Sequence, residues 1–405
     1  MTTPAMILRT TCRGCNGTRL EQVLDLGMMP LAGGFLADEA AIATETSFPL
    51  TALICHDCAL VQIPQIINPE ILFQDYSFSS STIAPLVQHF EGYAKWLVEK
   101  LKPSSVVEFG CNDGILLTPL EKLGVKTAGV DISKNIAQMA REKGLDVTAG
   151  YFNEETAKAL QSRLGSVDIV TGSNAFAHND QPEKILAAAR AVLKPTGHFC
   201  LEVMYAGDCL ETFQWDTLYH EHLTFYSLTS LSRLLKKNGF TVVEAERIPM
   251  HGGSLRIAAS LNPDEPPRPS VAAHLDYENA KGVASPETWL AFGRHIRRKI
   301  DIVKDTLGRL SKSSRIWGYG AAGKATLWVN ACGMNYLEGM VDGSPLRAGK
   351  LMPGTHTPIV FPDELKKNPP DYIFVTAWNY AEHIRAKETW FKGAWITPLP
   401  DLRFF

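Results

Sequence analysis

Between about residues 85 and 261 short apolar runs alternate with amphipathic stretches. Ser105–Phe109, Lys126–Val130, Val167–Thr171, Gly197–Val203 and Phe240–Arg247 read as strands. Helical spacing fills the gaps between them. In Gln181–Leu193, for example, Ile185, Leu186, Ala189 and Val192 form one stripe. Strand and helix in alternation predict a mainly parallel, doubly wound α/β sheet. Phe240–Arg247 and Leu255–Leu261 flank the turn Met250-His251-Gly252-Gly253-Ser254, which predicts a closing antiparallel hairpin.

The flanking regions follow other patterns. The first seventy or so residues are irregular, and Gly27, Pro30, Gly33 and Gly34 exclude a continuous helix there. A proline-rich connection begins after residue 262. A long helix then carries Trp289, Phe292, Ile296, Ile300, Val303, Leu307 and Leu310 on one face. Arg315–Tyr319, a glycine turn, a helix from about Lys324, and strands near Leu337–Val341 and Tyr372–Ala377 predict a second, smaller Rossmann-like unit. Three domains are expected, over 1–70, 71–262 and 263–405.

Composition narrows the class. The 405 residues are 45% hydrophobic and 20% charged, with a formal net charge of -3. That predicts a soluble protein without the basic stripe of a nucleic-acid binder. No apolar run reaches membrane-spanning length and no signal pattern opens the chain, so the cytoplasm is the expected address. Four of the eight cysteines form the pairs Cys12/Cys15 and Cys55/Cys58. Four thiolates at this spacing predict a structural Zn2+, which would stabilise a segment too small for its own core. The competing view, two redox-active pairs, lacks a thioredoxin-like surrounding.

Glu108-Phe109-Gly110-Cys111-Asn112-Asp113-Gly114 turns sharply from a strand into a helix. Its glycines allow close backbone approach, and its acids can hold the amino-acid end of S-adenosylmethionine. Asp131, followed by Ile132, ends the next strand, where an acid binds ribose hydroxyls. Tyr151 and Phe152 follow the third strand and are candidates to flank the adenine. Asn174 follows the fourth. A nicotinamide cofactor is the alternative, since such enzymes use a related turn.

Tyr219-His220-Glu221-His222 concentrates groups suited to proton transfer. His178 should reach the same crevice, and Tyr76 is a candidate lid residue. His220, Glu221 and His222 as metal ligands form the competing view, although the order is not His-Glu-x-x-His.

The chain resembles the S-adenosylmethionine-dependent nucleotide-sugar C-methyltransferases of deoxysugar pathways, including those of antibiotic biosynthesis. The resemblance rests on both cysteine pairs, Glu108–Gly114, Tyr219–His222, His251-Gly252-Gly253-Ser254-Leu255-Arg256, Gly318-Tyr319-Gly320-Ala321 and Pro353-Gly354-Thr355-His356. It implies a zinc-binding N-terminal domain, a central class I methyltransferase domain and a C-terminal Rossmann-like domain that helps hold the nucleotide. It also implies catalytic roles for Tyr76, His178, Tyr219, Glu221 and His222, with His222 as base. The reaction implied is methylation at C3 of a 4-keto sugar, thymidine-linked by expectation, through an enolate. Tyr219 and His178 are both candidate donors to its oxygen. Gly320, Ala321, Lys324 and Asp342 are the expected substrate residues, with the helix after Gly323 and Lys324 near phosphate. Where many relatives continue with Ala-Lys-Gly-Asn-Thr, this chain has Ala322-Gly323-Lys324-Ala325-Thr326. Gly318-x-Gly320-x-x-Gly323 also fits a dinucleotide oxidoreductase, and O- or N-methylation of another metabolite is a further alternative. A monomer or small homo-oligomer is expected.

Overall fold

A computed structural model describes residues 4–73 and 80–405; Tyr76 lies outside the described residues. The central sheet has seven strands: β1 Ser105–Phe109, β2 Lys126–Asp131, β3 Val147–Ala149, β4 Val167–Ser173, β5 Leu193–Met204, β6 Thr241–Ile248 and β7 Ser254–Ser260. Their spatial order is β6-β7-β5-β4-β1-β2-β3. Strands β1 to β5 are mutually parallel, and β7 runs antiparallel to both β5 and β6. The chain therefore reverses its direction of strand addition at β1/β4. An open α/β sheet binds its ligand beyond the carboxyl ends of the strands at that point. Strand β1 is buried at all five positions, as a strand covered on both faces must be.

The N-terminal region forms a four-stranded antiparallel sheet from Leu20–Pro30, Ser47–Cys55, Val61–Gln62 and a strand borrowed from far along the chain, Thr224–Phe225. Thr224 pairs with Gln62 and Phe225 with Val61. The borrowed strand directly follows the Tyr219–His222 segment, so the N-terminal sheet holds that segment by backbone hydrogen bonds.

The C-terminal region has a six-stranded sheet centred on Ile316–Tyr319, parallel except for its final strand, Arg403–Phe404. The helix Pro286–Leu310 packs along Leu20–Pro30. There a Cβ on Gly293 would collide with the Val23 carbonyl, so the helix and strand backbones touch. The preceding helix, Pro269–Lys281, packs on the central sheet instead. From it the Glu278 carboxylate accepts from the backbone N–H of Leu228 (2.5 Å) and Thr229 (2.8 Å), capping the helix Leu228–Lys237. Among the described residues no helix is long and apolar enough to cross a membrane.

Candidate functional site

The two cysteine knuckles meet. All four Sγ atoms lie within 4.8 Å of one another, with Cys12–Cys58 at 3.5 Å and Cys15–Cys55 at 3.6 Å. Sulfurs on a tetrahedral Zn2+ with bonds of about 2.3 Å stand roughly 3.8 Å apart, whereas a disulfide would need about 2 Å. The knuckles repeat one geometry. The residue after each second cysteine, Asn16 or Ala59, has positive φ and returns its N–H to the first cysteine's carbonyl at 2.9 Å. Backbone N–H groups of Gly14 and Gly17 point at Cys12 and Cys15 Sγ (3.3 and 3.4 Å) and suit thiolates. The donor set fits zinc.

At the reversal point of the central sheet, Gly110 takes φ +62°, and a Cβ there would collide with the Ala175 methyl. That close approach is what a glycine provides. Asp131 accepts the N–H of Asn112 on Oδ2 and of Ser133 on Oδ1, both at 2.9 Å, which ties the turn to the end of β2. Asp113 pairs with Lys143 at 3.1 Å. Asn112 accepts the N–H of Ser80 at 2.9 Å. Glu108 is buried with Oε2 unbonded; burial first, then the charges of Asp131, Glu202 and Asp113, push its carboxyl well above the usual range. Burial also raises Asp131. Acids crowded in this way favour a cation, and S-adenosylmethionine carries two positive centres, so the residues fit it. Ile132 lies half-buried beyond β2. Tyr151 is exposed, whereas Phe152 is packed inside, stacked on Phe109 at 5.6 Å. Asn174 has φ +55° and donates its N–H to the Glu202 carbonyl at 2.8 Å.

Successive residues of the Tyr219–His222 segment face different neighbours. Tyr219 meets the C-terminal glycine turn, where a Cβ on Gly323 would stand 3.3 Å from its Cζ. His220 is buried against the N-terminal sheet; its Nε2 bonds the Pro49 carbonyl at 3.1 Å and its ring meets Phe48 edge-on. Glu221 reaches toward Gly33 of the N-terminal region, its Oε1 3.3 Å from the Cβ position there. Burial pushes its carboxyl up to about 7. His222 turns inward, with its Nδ1 2.8 Å from the Thr217 carbonyl. A carbonyl only accepts, so Nδ1 carries the proton and Nε2 keeps a lone pair. Its ring lies 4.0 Å from that of Tyr219 and 5.1 Å from that of His178. Burial first, then His178, holds His222 well below the ordinary histidine range, and burial alone lowers His178 to about 4. Both rings are neutral at pH 7.

The other expected residues separate into two places. Gly320 has φ +98°, and a Cβ there would lie 2.7 Å from Ala377 Cβ. Asp342 ends the next strand, but Arg347 pairs with it at 2.8 Å and donates to the Ala321 carbonyl at 3.2 Å. Lys324 points elsewhere, toward Asp216, 4.0 Å away.

Several neighbours lie outside the expected site residues. His89 Nε2 lies 2.8 Å from Glu202, which also accepts from Arg256 at 2.7 Å. His251 has φ +56°, and burial first, then Lys324, lowers it to about 4. An acid near the end of β5 was a signal for Glu202; His89, on a helix distant in sequence, gave none.

A domain family described as zinc-binding matches residues 12–73, a methyltransferase domain matches 83–245, and a C-methyltransferase C-terminal domain matches 249–400. Over 402 residues the chain is 33% identical to C-methyltransferase NovU of Streptomyces niveus, covering 97% of this chain and 96% of that one. A ubiquinone biosynthesis O-methyltransferase of Cupriavidus pinatubonensis is 28% identical over 158 residues, 36% of this chain and 63% of its own. The crystal structure of magnesium protoporphyrin IX methyltransferase from Synechocystis PCC 6803 with bound SAH gives a TM-score of 0.34 at 17% identity, covering 43% of this chain and 82% of that one. With one relative matched at this identity across nearly the whole of both chains, the protein belongs to the C-methyltransferase family and is an enzyme that uses S-adenosylmethionine as methyl donor.

Proposed function

We propose that the enzyme methylates C3 of a nucleotide-linked 4-keto deoxysugar, thymidine-linked by preference, through an enolate. The observation that carries this reading is His222: its Nδ1–H is committed to Thr217, its ring is neutral, and Nε2 is left as a base. O-methylation of an acidic hydroxyl would need no base of this kind, whereas a C–H beside a ketone does. His222 takes the C3 proton on Nε2, and the C–H bonding pair moves into a C3–C4 double bond as charge collects on the C4 oxygen. When bound, S-adenosylmethionine supplies a sulfonium methyl that the enolate carbon takes while the sulfur leaves with the bonding pair. Tyr219, packed on the base, restricts its ring and covers one side of the reacting centre. Gly320 and Ala321, on the turn beside Tyr219, and Arg347, which reaches that turn from beyond Asp342, form the end suited to the diphosphate.

Solvent exchange tests the reading. With S-adenosylhomocysteine bound in D2O, wild-type protein is expected to wash deuterium into C3 of the keto sugar. His222→Asn should slow this about 1000-fold while S-adenosylhomocysteine affinity is kept. Methylation of an oxygen or nitrogen acceptor without any C–H exchange would overturn it.

A further inference from the structure

Asp216 sits fully buried in the short turn Trp215–Thr217. Its Oδ2 accepts from two indoles of the C-terminal region, Trp328 at 3.0 Å and Trp378 at 2.8 Å. Its Oδ1 accepts no hydrogen bond. The Lys324 ammonium stands 4.0 Å from that oxygen and 4.8 Å from the centre of the Trp378 ring. Among the described residues Nζ is buried and has no hydrogen-bond partner. A buried ammonium with three unused donors is costly unless something else receives them. The residue after Asp216 is Thr217, whose carbonyl orients His222. One turn therefore anchors the base directly and, through Asp216, a cation from another domain.

We propose that Lys324 is a catalytic residue whose ammonium receives the C4 oxygen as it becomes anionic, and that Asp216 is the positioning residue that holds it there. The assignment rests on the keto-sugar reading above. As His222 removes the C3 proton, the carbonyl π pair moves onto oxygen, where Lys324 donates a hydrogen bond; methyl transfer to C3 returns that pair to the carbonyl. A cation stabilises an oxyanion more than neutral donors such as Tyr219 or His178 can. The arrangement differs from a phosphate-binding lysine in its surroundings: the Lys324 ammonium lies against Asp216 and the Trp378 ring, beside the turn whose Thr217 carbonyl orients the base. His251 and His222 both feel its charge, as groups facing a common space would.

The test uses the full-length zinc-loaded protein as wild type, Lys324→Met, Lys324→Arg, Asp216→Asn and the Asp216→Asn/Lys324→Met double variant. Turnover, and C3 exchange with S-adenosylhomocysteine bound, are measured on a thymidine diphosphate 4-keto sugar. Thymidine diphosphate and S-adenosylhomocysteine affinities are measured by calorimetry. Lys324→Met is expected to lower kcat and exchange together by about 100-fold, with KM and thymidine diphosphate affinity within about 2-fold of wild type. Asp216→Asn keeps an acceptor for both indoles and should lose about 10-fold in kcat, and the double variant should be no worse than Lys324→Met. Lys324→Arg, which keeps the charge, should recover part of the rate. Removing the cation should also move the acidic limb of kcat/KM to higher pH. Weakened thymidine diphosphate binding with kcat preserved would make Lys324 a phosphate ligand and overturn the assignment. Additive losses in the double variant would overturn the role of Asp216. Unchanged S-adenosylhomocysteine affinity shows that a variant is folded. If the wild type turns over a different ketone, the sugar reading fails in the wild type itself, and the same rate losses on that ketone still decide the roles of Lys324 and Asp216.

Discussion

The molecule contains two versions of one device: a strand, a glycine turn, a helix and an acid ending the next strand. In the central sheet these are β1, Gly110, the helix beyond Gly114 and Asp131; in the C-terminal sheet they are Ile316–Tyr319, Gly320, the helix Gly323–Ala331 and Asp342. The charges around them differ. Glu108, Asp113 and Asp131 crowd the first turn, and burial first, then the neighbouring acids, raises Glu108 and Asp131. At the second, Arg347 already neutralises Asp342 and bridges to the turn at Ala321. Backbone shape sets how closely a ligand approaches, and neighbouring side chains decide its charge. The first turn suits a sulfonium cofactor, and on the proposed reading the second takes the diphosphate.

The largest effects should come from removing the glycines. Gly110→Ala must place a methyl against Ala175 at positive φ, and is expected to weaken S-adenosylhomocysteine binding by about 100-fold while sparing thymidine diphosphate. Gly320→Ala should do the reverse. Calorimetry with both ligands on both variants checks this, and equal losses for both ligands in either variant would break the division.

Charge should matter about tenfold less. Asp131→Asn is expected to cost about 10-fold in S-adenosylhomocysteine affinity and nothing in thymidine diphosphate affinity; Arg347→Met should show the opposite pattern. Raising salt should weaken only thymidine diphosphate.

The smallest effect concerns the seam between the two turns. Burial lifts Glu221 from 4.5 to about 7, so the unfolded chain ionises first and stability falls as pH rises through that window. Glu221→Gln should therefore gain on wild type between pH 4.5 and 7, by about 1–2 kcal/mol given the partly open side chain, as read from urea midpoints. His178 works in the opposite sense. Its pKa is depressed from 6.5 to about 4, so stability present above 6.5 is lost as pH falls toward 4.

Much of this was legible locally. The cysteine spacing, β1 with its glycine turn and the long helix Pro286–Leu310 each follow from residues adjacent in sequence. Three short strands near the end of the chain escaped, Ile359–Val360, Ala394–Thr397 and Arg403–Phe404, because so few positions establish no period. The helix Pro269–Lys281 follows a proline-rich stretch that reads as a linker, yet Glu278 ties it to the central domain. Of the four residues Tyr219–His222, the sequence announced the chemistry but not which way each points. Asp216 meets Trp328 112 positions away, and no local pattern encodes such a contact.

The borrowed strand Thr224–Phe225 has a consequence for how the protein is made. The N-terminal sheet can bind its metal early in synthesis, but the edge at Val61–Gln62 stays bare until more than 160 further residues have left the ribosome. An unpaired edge is an invitation to the wrong strand. With only two residues paired on it, that edge is short enough to wait, and its eventual partner arrives bearing His222 beside it.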